Sequence, residues 1–344
     1  MNYTDMLNKI QDDTSRDLNE HIMLIDGMNT LIRSFSLIKS INPSGHHVGG
    51  LIGFLRSIGF LARTIDPTRI VVVWDGKGGS GNRKNIDPNY KAQRATSKIT
   101  HWGLYESKQE ESEALVEQLY RCQDYLECLP IQQIMLEKLE ADDIIAFLAK
   151  NCSGTSVKRC TIVSSDKDFL QLVDDTVEIY SPIKKVIINQ ENILDTLKVH
   201  PENYNIVKAL MGDNSDNLRG IKGVGIKTLV KELPELVTDP TINLDYIYEV
   251  CASRLESKKV YANIIHEWNL VQSNYDIMDL HKTILSETEQ EEVAEILASG
   301  IPPLSSGAFQ MLMHQDKIES ITKNTDAWLE NFSSLNTFRK QRQN

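Results

Sequence analysis

No apolar stretch in this 344-residue chain approaches the ~18 residues needed to cross a bilayer. The opening segment, MNYTDMLNKIQDDTSRDLNE, lacks the apolar core of a secretory signal and reads as an acidic, mobile leader over residues 1–20. Cysteine is sparse: Cys122, Cys128, Cys152, Cys160 and Cys251 are odd in number, scattered and form no C-x-x-C pair. That excludes a disulfide framework or a zinc cluster and places the expectation on reduced thiols in a cytosolic compartment. Basic charge is also short, with 37 Lys and Arg against 48 Asp and Glu and a net charge of −11. Taken globally this argues against a polyanionic partner. The shortage is uneven, however. Between Lys77 and Lys98 stand six basic residues (Lys77, Arg83, Lys84, Lys91, Arg94, Lys98) against Asp87 alone. Binding responds to charge within a Debye length of about 8 Å, so the local excess outweighs the total.

Three apolar runs share one pattern. HIMLIDGMN ends in Asp26, RIVVVWDGKGG in Asp75, and RCTIVSSDKDF in Asp166 and Asp168. Each reads as a buried strand feeding a turn, and helical periodicity fills the intervals, as in LVEQLYRCQDYLECL and EADDIIAFLAK. Alternating strands and helices predict an α/β fold with a parallel sheet, whose functional groups gather beyond the carboxyl ends of the strands. No internal repeat is present. Past Pro201 only short helices are expected, and the organisation predicted is an α/β unit over 21–200, with a long loop at about 77–125. A helical region follows over 201–273, then a further helical region and polar tail over 274–344.

Single aspartates after strands are usually caps or turn residues. Here they accumulate. Glu140, Asp142 and Asp143 open a helix, and Asp213 and Asp216 stand three apart, so nine acids fall at element edges. Such a cluster repels itself unless cations neutralise it. All-oxygen donors with almost no His or Cys favour hard divalent ions over zinc. The chemistry expected is metal-assisted phosphodiester hydrolysis, in which two ions clamp the attacking and leaving oxygens. The adjacent His46 and His47 are read as surface or packing residues.

GIKGVGIKT reads as a helix–hairpin–helix. Gly220, Gly223 and Gly225 let the backbone turn tightly against a phosphate, and Lys222, Lys227 and Lys231 add charge. In RKNIDPNYKAQR, Lys91 and Arg94 are three apart and are expected on one helix face beside Tyr90. The pair would stabilise charge on a scissile phosphate while Tyr90 stacks on a base.

The ordered set Asp26, Asp75, PNYKAQR, EADD, SSDKDF, MGDNSDN and GIKGVGIKT resembles the 5′-nucleases: phage 5′–3′ exonucleases and RNase H enzymes, the nuclease domain of bacterial DNA polymerase I, and flap endonucleases. The match runs from about Ile22 to Val237. Phage members look most similar, because IPPLSSGAFQMLM resembles the carboxyl-terminal region of a phage RNase H. The resemblance implies a PIN-like nuclease domain with an arch or loop over the site, and two Mg²⁺ ions for which Mn²⁺ substitutes. Asp26, Asp75, Glu140, Asp142 and Asp143 would surround one ion, and Asp166, Asp168, Asp213 and Asp216 the other. Asp26 and Asp168 would be essential to catalysis with Lys91 and Arg94. Arg83, Lys84, Tyr90, Lys91 and Arg94, together with Gly220, Lys222, Gly223, Gly225, Lys227 and Thr228, would meet nucleic acid, with K⁺ bridging backbone and phosphate at the hairpin.

Substrates implied are branched or nicked duplex DNA and RNA–DNA hybrids. A sliding clamp or single-strand-binding protein is a further partner, and a monomer in the cytoplasm of a bacterial host is the expected state. The tail around Leu335 and Phe338 reads as a frayed terminus, with a partner peptide as the alternative. Two features depart from the usual pattern: Trp74 stands where Phe or a smaller residue is common, and the loop after Asp75 is unusually rich in glycine. A DNA-binding accessory that no longer cleaves is the competing reading. A phosphatase using Asp26 is set aside because Met28 occupies the position of its second acid.

Overall fold

Residues 22–25 and 70–73 are wholly apolar and 160–163 nearly so, as suits strands inside a sheet covered on both faces. The computed structural model describes residues 19–93, 100–101, 103–152, 157–319 and 324–335. Its main sheet has six strands: β1 (His21–Asp26), β2 (Arg69–Val73), β3 (Gln132–Ile134), β4 (Arg159–Val163), β5 (Val177–Ser181) and β6 (Val186–Ile188). The order is β3-β2-β1-β4-β5-β6, parallel throughout except for the β5–β6 hairpin. The predicted strands are β1, β2 and β4; β3, β5 and β6 are additional. The chain builds outward from β1 to β3 and then returns to β4 on the other side. The crevice between β1 and β4 is therefore the switch point at which α/β folds bind ligands.

Alternate residues feed two cores. Ile22, Leu24, Val71, Val73 and Ile162 face one side, with helix α5 (Ala141–Cys152) and the helical region beyond residue 200. Met23, Ile25, Ile70, Val72 and Val163 face the other, with helices α1 (Gly27–Leu37), α2 (Gly49–Ile65) and α4 (Lys108–Glu127). Carboxyl-terminal residues Phe309, Trp328, Phe332 and Leu335 complete this second core. Leu335 is thus buried packing, while Phe338 lies outside the described residues. The basic segment begins with α3 (Gly81–Ile86), a short helix.

Trp74 is fully buried, stacks on Phe54 with centroids 5.4 Å apart, and donates its indole N–H to Gln133 at 3.0 Å. A β-carbon at Gly27 would lie 2.5 Å from its ring, so the residue after Asp26 has no room for a side chain. His47 is half-buried, donating or accepting at Tyr105 (2.7 Å) and edge-on to Phe35. Among the described residues, no helix is long and apolar enough to cross a membrane.

Candidate active site

Parallel strands place their carboxyl ends side by side, and the acids follow. Asp26 ends β1 and caps α1, accepting the Asn29 N–H at 2.9 Å and the Ser164 hydroxyl at 3.0 Å. Asp75, two residues past β2, accepts the Ala141 N–H at 2.8 Å and so ties that strand to the start of α5. Asp142 lies in the first turn of α5. Asp166 follows β4, and its carboxylate accepts the Asp168 N–H at 2.9 Å. These four aspartates and Lys91 line one cavity of about 630 Å³, which α1 borders through Asn29 and Arg33.

Burial pushes the Asp26 carboxyl up to about 7, outweighing the Asn29 and Ser164 hydrogen bonds, and repulsion from Asp75 and Asp166 adds to it. Burial, with Asp166 and Asp26, raises Asp142 as well. Carboxyls that oppose one another's ionisation create a position favourable to a cation, and the oxygen-only donors suit a hard divalent ion. Among the described residues, no three His, Cys, Asp or Glu side chains are drawn closely enough together to hold an ion as they stand. The aspartates ring the cavity wall and have not closed on a point.

The other acids are held by basic side chains. Arg83, on α3, is only 7% exposed. Its guanidinium donates to Asp143 at 2.7 and 3.0 Å and to Glu140 at 2.7 Å, and its Nε donates to the Ile277 carbonyl at 2.9 Å. Burial opposes this charge, but Asp143 and Glu140 overcome it and raise the pKa further. The expected phosphate contact at Arg83 is therefore corrected: the side chain is enclosed, and its fork is matched to carboxylates. Tyr90 is corrected in the same way. It is 2% exposed and donates its hydroxyl to Glu140 at 3.1 Å, leaving no ring face for a base.

Lys91 has φ 55°, a left-handed conformation, so its own backbone is not helical. Its ammonium donates to Glu140 at 2.7 Å and lies 4.8 Å from the Tyr90 ring centre, beside the cavity. Burial would raise the Glu140 pKa, yet Arg83 and Lys91 hold it below the usual range. Arg94 lies outside the described residues. Lys84 is exposed.

Asp168 and Asp213 share a cation absent from the sequence expectations. Lys208, on α6 (Tyr204–Met211), sits 2.6 Å from Asp168 and also pairs with Asp213. The available signal is a lone charge in the run NIVKALM, whose neighbours on the helix are buried. Glu140 and Asp143 are thus bound to Arg83, and Asp168 and Asp213 to Lys208, while Asp26, Asp75, Asp142 and Asp166 face the cavity.

The segment after α6 joins loop to hairpin. Gly212 has φ +71°, and a β-carbon there would meet the Gly220 nitrogen at 2.3 Å, so MGD can turn only with glycine. The Asp216 carbonyl accepts the Lys91 N–H at 2.9 Å, and Asn217 donates to the Asn89 carbonyl at 2.9 Å. The basic loop is docked on the D-x-x-D turn. Four residues past Asp216, Gly220 begins the hairpin; its Ile221 is buried, and its Lys222 carbonyl accepts from Asn263 at 3.1 Å. Gly223 has φ +81° and Gly225 caps α7 (Ile226–Glu232). The Thr228 hydroxyl turns back to the Gly223 carbonyl at 3.5 Å, while Lys222, Lys227 and Lys231 are exposed.

A parallel sheet that gathers carboxylates beyond its strand ends, with a basic loop beside them, defines a PIN-type nuclease domain. The family model for the 5′–3′ exonuclease N-terminal, resolvase-like domain matches residues 21–199. The 5′–3′ exonuclease of Bacillus subtilis is 31% identical over 229 residues, covering 64% of this chain and 72% of that protein. DNA polymerase I of Lactococcus lactis is 30% identical over 256 residues, 72% of this chain and 27% of the polymerase. The structure of the bacteriophage T5 D15 flap endonuclease, a pseudo-enzyme–product complex with DNA and metal ions, has the same fold. Its TM-score is 0.61 at 21% identity, covering 90% of this chain and 99% of that one. The chain belongs to the 5′–3′ exonuclease family.

Proposed function

We propose that this nuclease is a Mg²⁺-dependent, structure-specific 5′-nuclease that removes 5′ ends and flaps from branched or nicked duplex DNA and primers from RNA–DNA hybrids. The observation that carries this reading is the single cavity lined by Asp26, Asp75, Asp142, Asp166 and Lys91. Those four carboxylates would hold the tighter ion, and Asp168, Asp213 and Asp216 would contribute to a second. When bound, such ions neutralise phosphate charge and activate water for in-line displacement. Within the chain, Glu140 positions the Lys91 ammonium at the cavity, where it can meet a scissile phosphate. The exposed hairpin lysines hold duplex phosphates without reading sequence, with K⁺ at Gly223 as part of the same grip. The docked turn then fixes the distance between grip and cavity.

A 5′-labelled flap duplex incubated with Mg²⁺, and with a chelator as control, tests this. Metal-dependent release of short 5′ products is expected, and Asp26→Asn should lower the single-turnover rate on the order of 10³-fold while retaining duplex binding. Tight binding with no product, in Mg²⁺ and Mn²⁺ alike, would identify a non-cleaving accessory protein instead.

A further inference from the structure

The two halves of the acid cluster differ in how their charge is balanced. Asp26 and Asp166 line the same cavity and repel. Asp168 and Asp213 instead flank one ammonium. Lys208 Nζ lies 2.6 Å from Asp168 Oδ1, and it donates to Asp213. The Lys208 side chain is 9% exposed, against 16% and 18% for the two aspartates.

The ammonium is delivered rigidly. Ile206, Val207, Ala209 and Leu210 on the same helix are buried, and Asn274 pins the Ala209 carbonyl at 3.0 Å. A solvent-exposed lysine would swing aside at little cost, but this one is largely buried on a helix whose flanking residues are buried. Asp213 is fixed as well, its other carboxylate oxygen accepting the Ser215 N–H at 2.7 Å.

We infer that Lys208 is a resident cation in the second half of the site and weakens its affinity for a divalent ion, which must compete with the ammonium for Asp168 and Asp213. The inference rests on the metal-dependent reading above. It gives the protein one tight class of ion site, at the cavity aspartates, and one weak class whose strength Lys208 sets. Like charges a few ångströms apart in a partly buried site repel strongly, so removing the ammonium should tighten the weak class by about tenfold or more.

Mn²⁺ binding to the whole protein, followed by the electron paramagnetic resonance signal of unbound Mn²⁺, reads this without reference to catalysis. Wild type should show one tight ion and a second at least about tenfold weaker. Lys208→Met should tighten the second class by about tenfold or more, whereas Lys208→Arg, which keeps the charge, should stay near wild type. An unchanged second class in Lys208→Met, or two equally tight ions in wild type, overturns the inference and leaves the metal-dependent reading intact. No Mn²⁺ bound by wild type overturns both. Thermal melts supply a second comparison should Lys208→Met fold poorly in chelator. Mn²⁺ should raise its melting temperature more than that of Lys208→Arg, and equal shifts count against the inference.

Discussion

Replacing Arg83 by methionine separates the enclosed role seen in the fold from a nucleic-acid contact. Methionine fills much of the same volume, so what is lost is chiefly the guanidinium. With it go the bidentate contact to Asp143, the 2.7 Å bond to Glu140 and the bond to the Ile277 carbonyl. Removing one partner of a buried ion pair costs about 3–5 kcal/mol, because the surviving charge stays desolvated. Asp143 is the carboxylate stranded here, because Glu140 keeps the Lys91 ammonium and the Tyr90 hydroxyl. At ~2 °C per kcal/mol for a chain of this size, the melting temperature should fall by roughly 6–10 °C. Urea unfolding followed by circular dichroism measures the same loss directly. Adding Asp143→Asn to Arg83→Met should recover much of it, since the neutral amide leaves no stranded charge there while Glu140 keeps Lys91. The salt dependence of duplex binding supplies the contrast. A lost phosphate contact lowers the slope of log K against log salt by about one, and Arg83→Met should leave that slope unchanged. A stability loss under ~1 kcal/mol together with a reduced slope would refute the structural role and return Arg83 to the nucleic-acid surface.

Asp26 should make stability depend on pH in chelator. Its folded pKa of about 7 lies above the unfolded 3.8, so the native state binds more protons between those values. Stability from this group is therefore present at low pH and lost as pH rises toward 7. That separation corresponds to up to ~4 kcal/mol, so Asp26→Asn should be more stable than wild type at pH 8 without metal, and the difference should vanish near pH 4. Denaturant melts across this range check it, and a wild type more stable than the variant at pH 8 would reverse the sign. At the hairpin, Gly223 has φ +81° with open space where a β-carbon would stand, so Gly223→Val strains the backbone by about 1–2 kcal/mol without a clash. Duplex affinity at low salt should drop several-fold by fluorescence anisotropy, and unchanged affinity would remove the hairpin from the grip.

The strands legible in the sequence are those at the middle of the sheet. β1, β2 and β4 are largely apolar runs that end in an aspartate or are followed by one within three residues, because both faces of a central parallel strand are covered. β3 is three residues long and carries two glutamines, and β6 is an exposed edge, so neither has a periodicity to recognise. The helix opening at EADD is legible through its 3.6-residue pattern. Inside the site, residue type and order point correctly to the sheet edge but carry no information on which acid faces which base. Arg83 and Tyr90 lie in a segment without periodicity, so their burial follows only from contacts with Glu140, Asp143 and Ile277, which lie 50 or more residues away. Lys91 shows the limit of spacing arguments, since its left-handed backbone breaks the helix that the spacing assumed.

The Trp74 indole and Gly27 bear on how this sequence can drift. The ring occupies the volume that a side chain at position 27 would need, and that position follows directly on an aspartate of the cavity wall. The two sites are therefore not independent variables. While tryptophan stands at 74, even a methyl group at 27 must push the ring or shift the first turn of α1, and Asp26 with it. A smaller aromatic at 74 would open that space. Substitutions at 27 thus become acceptable only after a change at 74, which gives the pair a preferred historical order. The neighbouring carboxylate inherits its placement from whichever ring came first.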